Sequence, residues 1–198
     1  MQAIDEEYLS KKKAIEFWEN KIYNKVEIGT TKGLQQIHKY LFEDVFDFAG
    51  EIRKLNIAKG NFRFAPVLFL EDNLRIIDKM PENNFKEILN KYVEMNVAHP
   101  FLEGNGRSTR IWLDLILKKN LSQCIDWSLI DKYNYLQAME RSPINSLELE
   151  FLLKTALTDK INDRQVYMRG IQASYEYEGF NKYNILSISR DIKNNLER

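Results

Sequence analysis

The chain has 198 residues, and its 29 Lys and Arg are balanced by 29 Asp and Glu, so the formal net charge is zero. At 44% hydrophobic and 29% charged, the composition is that of a globular chain long enough for a sizeable core, and the balanced charge argues against a protein held mainly by nucleic-acid phosphates. The single Cys124 excludes an internal disulfide framework and any multi-cysteine zinc site; two histidines, His38 and His99, are too few for a three-histidine zinc centre and confine an imidazole base to one of two positions.

Apolar spacing predicts an all-α domain with one small β-hairpin. A first helix spans 5–19, and a second starts near Thr31 with Leu34, Ile37, Leu41 and Phe42 on one stripe. Leu55–Lys59 and Phe62–Ala65 then alternate at period two around Gly60-Asn61, which reads as a hairpin whose edge is free to pair with another chain. A third helix follows Pro66 to about Met80, where Pro81 stops it, and a fourth runs from Phe85 to about Ala98. The fifth, from about Arg107 to Lys119, is apolar on nearly all sides, as a central buried helix would be. Three more are expected over Ser128–Arg141, Ser146–Leu157 and about Asp163–Tyr177, with residues 1–180 as one domain and a polar tail, 181–198, either weakly helical or mobile. The acidic N-terminus lacks the basic region of a signal peptide. The most apolar stretch, Ile111–Leu117, is too short to span a bilayer, so a soluble, cytoplasmic protein without membrane contact is expected.

The residues that carry chemistry are concentrated in His99-Pro-Phe-Leu-Glu-Gly-Asn-Gly-Arg-Ser-Thr-Arg110, between two apolar helices. Gly104 and Gly106 flank Asn105 and allow the backbone to curl into a nest of N–H groups, beside the positive end of the following helix. Arg107 and Arg110, spaced i, i+3, share a face on the first helical turn, where cations are unfavourable unless an anion sits between them. Glu103 adds a hard oxygen donor of the kind that holds Mg²⁺ beside phosphate oxygens. By itself Gly-x-Gly reads first as a turn, and two arginines as surface charges; their crowding with His, Asn and Glu into twelve residues favours an anion site. His38 sits mid-helix with no polar motif around it, so the base is assigned to His99.

This stretch resembles the Fic signature, His-x-Phe-x-(Asp/Glu)-Gly-Asn-Gly-Arg-x-x-Arg, at every defined position. Gly29-Thr-Thr, Leu34–Leu41 and Asp47–Arg53 resemble the family's early helix and the segment before its hairpin, and Lys59, Gly60, Asn61, Phe62, Arg63 and Phe64 its flap. The resemblance implies transfer of AMP from Mg-ATP to a Tyr, Ser or Thr hydroxyl of a target protein. His99 would be the general base; Gly104, Asn105 and Gly106 would hold the α-phosphate, Arg107 the β-phosphate and Arg110 the γ-phosphate, with Glu103 on Mg²⁺. The flap would align the target by strand pairing.

Ser174-Tyr-Glu-Tyr-Glu-Gly179 resembles the inhibitory motif of the compact, self-restrained Fic class. The resemblance implies that Ser174, Glu178 and Gly179, on a helix over about 163–179, restrain the enzyme by pairing Glu178 with Arg110; Tyr175, beside Ser174 on that helix near the site, is a candidate for self-modification. It also points to a bacterial type II topoisomerase as target and to association into homo-oligomers, with no direct nucleic-acid partner. Phosphate transfer of the Doc type, transfer of another phosphate-linked group, and a non-catalytic nucleotide-binding module are the rival readings. The Doc type carries Lys at the position held here by Gly106.

Overall fold

A computed structural model describes residues 5–60 and 62–196, without the side chains of 193–196. Asn61, expected at the hairpin turn, lies outside the described residues. Among those described are nine α-helices: α1 (Glu6–Glu19), α2 (Thr31–Phe42), α3 (Val67–Asp78), α4 (Phe85–Ala98), α5 (Asn105–Leu121), α6 (Lys132–Arg141), α7 (Leu147–Thr155), α8 (Arg164–Tyr177) and α9 (Ile185–Leu196). Side chains cap most of the starts. Asp5, Thr30, Asn84, Asp131 and Asp163 each accept a backbone N–H from the first turn of the helix that follows, a contact worth about 1 kcal/mol per cap.

Helix α5 is the axis of the fold, packed against α2, α4 and α8. Its Ile111, Trp112, Leu113, Leu115, Ile116 and Leu117 are all buried, which is why its sequence shows no polar face. The Trp112 indole donates to the Thr30 carbonyl at 3.1 Å and ties α5 to the cap of α2. Residues 185–196 form α9, which packs on α1 and α8 with Ile185 and Ile188 buried, so this part of the tail joins the main body.

Three expectations need correction. The hairpin is shorter than the alternation suggests: β1 is Ala58–Lys59 and β2 Phe62–Arg63, paired antiparallel. Leu55 and Asn56 are drawn off the ladder, because the Leu55 carbonyl accepts from Arg53 and the Asn56 side chain accepts the Val67 N–H at the start of α3. On the other arm Ala65 donates its N–H to the Val97 carbonyl and docks on α4. The helix expected over Ser128–Arg141 is broken. Asp126 caps a single 3-10 turn, Trp127–Leu129, and Asp131 starts α6 afresh. Finally, a second two-stranded ladder pairs β3 (Cys124–Ile125) with β4 (Leu157–Thr158), so the predicted helix over Ser146–Leu157 ends early at Thr155.

Candidate active site

The site is built where α4 turns into α5. Helix α4 ends on His99, whose φ of 47° is left-handed, a conformation that costs a non-glycine residue of order 1 kcal/mol or more unless its surroundings enforce it. Arg53 enforces it. Its buried guanidinium donates to the carbonyls of His99, Ala98, Leu55 and Ala65, and its backbone N–H to that of Pro100. One cation thereby satisfies the last carbonyls of α4 and fastens the foot of the hairpin to them. The His99 ring lies flat on Phe64, centroids 3.6 Å apart. Burial pushes its pKa down to about 4, against the pull of the Asn96 carbonyl and Glu178, so the imidazole is neutral at ordinary pH.

The connecting loop is stapled by Asn105. Its side-chain oxygen accepts the Phe101 N–H at 2.9 Å and its amide donates to the Phe101 carbonyl at 2.8 Å. Both polar atoms of this side chain are therefore engaged inside the loop. What Asn105 leaves for an anion is its backbone N–H, at the start of α5 beside those of Gly106 and Arg107, none of which has a partner within the helix. Gly104 is left-handed (φ 78°), and a Cβ there would meet the Phe42 ring at 2.6 Å. Its N–H is taken by the Glu103 carboxylate at 3.1 Å.

Arg107 is 1% exposed. Its guanidinium lies among the rings of Phe42, Phe180 and Tyr175, at 4.6, 4.5 and 5.3 Å. One terminal nitrogen meets Glu6 of α1 at 2.7 Å and Glu103 at 3.7 Å, while Nε and Nη1 are buried with no hydrogen-bond partner among the described residues. A buried unpaired donor costs about 1–3 kcal/mol, which marks this side chain as waiting for an acceptor.

Arg110 is held differently. Its Nε donates to Ser174 Oγ at 2.7 Å, and Nη2 donates to the Ser174 carbonyl at 2.9 Å and to Glu178 Oε1 at 2.7 Å. A Cβ on Gly106 would lie 2.2 Å from that same Glu178 oxygen, so the carboxylate rests over the nest as well as on the arginine. Burial pushes the Glu178 carboxyl up, but the charge and hydrogen bond of Arg110, helped by Lys59 and Arg107, outweigh it and hold the pKa at about 2. Lys59 of the hairpin reaches Glu178 Oε2 at 3.7 Å.

The stop of α8 places that carboxylate. Gly179 is left-handed (φ 87°); its N–H returns to the Glu176 carbonyl and that of Phe180 to Tyr175. The Tyr175 and Phe180 rings pack edge to face, completing a Schellman motif that fixes Glu178 as the residue at the helix end. Tyr175 itself is 1% exposed, and its hydroxyl is buried near Lys11 and Arg107. It lies inside the domain.

A cavity of about 390 Å³ brings together His99, Glu103, Gly104, Asn105, Gly106, Arg107, Arg110, Glu178, Lys59 and Phe64. Glu6, Arg53 and His38 escape the sequence reading because each acts across the chain from an unremarkable helix or loop. Arg53 and His38 are signalled only by the resemblance of Asp47–Arg53 and Leu34–Leu41 to family segments, and Glu6 carries no signal. No group of three or more His, Cys, Asp or Glu side chains among the described residues could hold a metal. Glu103, the hard donor of the nest loop and more than half exposed, fits instead a Mg²⁺ held mostly by phosphate oxygens and water.

This helical domain sets an imidazole, a glycine nest and two arginines at one helix start, an arrangement suited to holding an anion. Residues 29–117 match the model of the Fic/DOC family, and this part of the chain is of that family. The protein adenylyltransferase VbhT of Bartonella schoenbuchensis is 30% identical over 176 residues, covering 75% of this chain and 36% of VbhT. The probable protein adenylyltransferase Fic of Escherichia coli is 28% identical over 125 residues, covering 58% of this chain and 62% of its own length. The chain thus spans about a third of the first relative and under two-thirds of the second. The solved structure of BepC of Bartonella tribocorum with bound AMPPNP superposes with a TM-score of 0.62 at 16% identity, over 80% of this chain and 89% of BepC, a likeness of fold.

Proposed function

We propose that the chain is a protein adenylyltransferase held at rest by its own helix α8, through Glu178 at the end of that helix. The observation that carries this reading is the place of the Glu178 carboxylate: an anion already lies on the helix-start nest and on Arg110, where a triphosphate would have to bind. With Glu178 withdrawn, the N–H groups of Asn105 and Gly106 receive the α-phosphate, the free donors of Arg107 the β-phosphate, and Arg110 the γ-phosphate. Glu103 would hold the Mg²⁺ that accompanies ATP, and the ion would help neutralise the phosphate charge. An apolar groove lined by Phe64, Val93, Leu136 and Met139 adjoins the cavity and takes the base.

A target hydroxyl then stands beside neutral His99. As its oxygen attacks the α-phosphorus, the imidazole removes the proton, a role worth typically about 10²–10⁴-fold. The bond from the α-phosphorus to the β-phosphate oxygen breaks, and pyrophosphate leaves bearing the charge that Arg107 and Arg110 neutralise. The short edges of β1, Ala58–Lys59, and β2, Phe62–Arg63, offer backbone pairing to an extended target segment. A bacterial type II topoisomerase is the target we put forward, in the cytoplasm. Tyr175 is the self-modification site, reached once α8 has unseated, and association between copies would steady that helix.

Incubation of Glu178→Gly with Mg-ATP and a bacterial lysate, followed by mass spectrometry, tests the reading. An AMP adduct on a Tyr, Ser or Thr side chain, missing when His99→Ala is added, supports it; no adduct with either protein overturns it.

A further inference from the structure

His38 is wholly buried on α2, and both its ring nitrogens are committed. Nδ1 accepts the Gly50 N–H at 2.9 Å, which leaves the proton on Nε2; Nε2 in turn donates to the Glu103 carbonyl at 2.8 Å. The ring also stacks on Phe101, centroids 3.8 Å apart, and a Cβ on Gly104 would come within 3.1 Å of Nε2. One imidazole therefore touches the ring of Phe101 and the carbonyl of Glu103 in the loop between the proposed base and the nest, and crowds the space where a side chain on Gly104 would stand. Nothing else among the described side chains bonds the Glu103 carbonyl, while Asn105 grips only Phe101.

From this geometry we infer that His38 is a positioning residue for the transfer reaction, holding the Glu103–Gly104 backbone so that the nest and the Glu103 carboxylate face the triphosphate. The inference rests on the adenylyltransferase reading above. The Nε2–H bond carries the effect. Without it the Glu103 carbonyl loses the one side-chain donor it has among the described residues, and the peptide between Glu103 and Gly104 turns more easily, since Gly104 has no side chain to resist rotation. The bond from Gly50 serves a different end: it sets the tautomer and ties down the segment before the hairpin.

The two bonds separate experimentally. In the Glu178→Gly background, His38→Gln keeps a donor at the Nε2 position, whereas His38→Asn keeps only an acceptor near Nδ1. Each loses one buried hydrogen bond, so similar melting temperatures are expected. The Gln variant should retain kcat/KM for ATP close to its parent, and the Asn variant should lose about ten-fold or more. Amide hydrogen exchange over 100–107 should be faster in the Asn variant than in the Gln variant. Equal exchange in the two, or activity that merely follows melting temperature, would overturn the role of His38. An inactive Glu178→Gly parent would instead contradict the adenylyltransferase reading, and the exchange comparison would still decide the inference.

Discussion

Glu178 and Arg110, 68 residues apart in sequence, meet at 2.7 Å with the arginine 3% exposed and the carboxylate 19%. The pair closes the nest at Gly106, because the same carboxylate oxygen that bonds Arg110 occupies the space above that glycine. Any side chain at 106 would collide with it, so Gly106 and Glu178 are matched to each other.

Removing Glu178 is expected to open the site at a cost in stability. Glu178→Gly leaves buried Arg110 with Ser174 as its hydrogen-bond partner and no carboxylate against it, a loss of up to about 3 kcal/mol and a fall in Tm of several degrees. ATP should restore much of that stability, and should stabilise the native chain far less. Scanning calorimetry with and without Mg-ATP reads both effects; equal stabilisation of the two proteins would show that the carboxylate does not compete with the nucleotide.

Ser174→Ala should act in the same direction and more weakly. It removes the hydroxyl that accepts from Arg110 Nε but keeps the Ser174 carbonyl and Glu178 in place. Basal AMP transfer should rise by less than in Glu178→Gly, in keeping with a hydrogen bond to a charged group worth about 1.5–3 kcal/mol. A transfer assay that ranks the two the other way round would place the restraint on the serine.

His99→Ala in the Glu178→Gly background should cut transfer by about 10²–10⁴-fold while leaving ATP binding intact. Isothermal titration alongside the rate assay separates the two. Because burial sets the His99 pKa at about 4, the unmutated Glu178→Gly rate should be flat from about pH 5 upward and fall only as the imidazole protonates near 4.

Stability should follow pH with the opposite sense to an acid-stabilised protein. His38 and His99 both sit at about 4, depressed from 6.5 chiefly by burial. Between those values the unfolded chain binds more protons than the folded one, so stability is full above about 6.5 and is lost as pH falls toward 4. Glu178, held at about 2, stays ionised through that window, so mild acid should weaken the fold without releasing the restraint. A Tm that stays level from pH 7 to 4.5 would contradict the neutral burial of the two rings.

Much of this architecture is written in local patterns. Helix α5 is legible from Ile111 to Leu117 because a buried helix needs no polar side, and α2 from a stripe at helical spacing. The nest is legible because Gly104, Asn105 and Gly106 are adjacent, and the Ser174–Glu178 pair because i, i+4 residues share a face. What escapes is decided across the chain. Strands of two residues carry no period, so the β3–β4 ladder leaves no trace, and its anchor, Asp114, accepts from Ile125 and the Trp127 indole only once the helices have met. Arg53, Glu6 and His38 likewise gain their partners through tertiary contact, and nothing in their neighbours' spacing announces it.

The most direct test labels ATP at its α- or its γ-phosphate and follows the label onto protein, for Glu178→Gly and the native chain side by side. The account predicts α-label transferred by Glu178→Gly, little by the native chain, and no γ-label with either. Transfer of γ-label, or equal α-transfer by the two proteins, would contradict it.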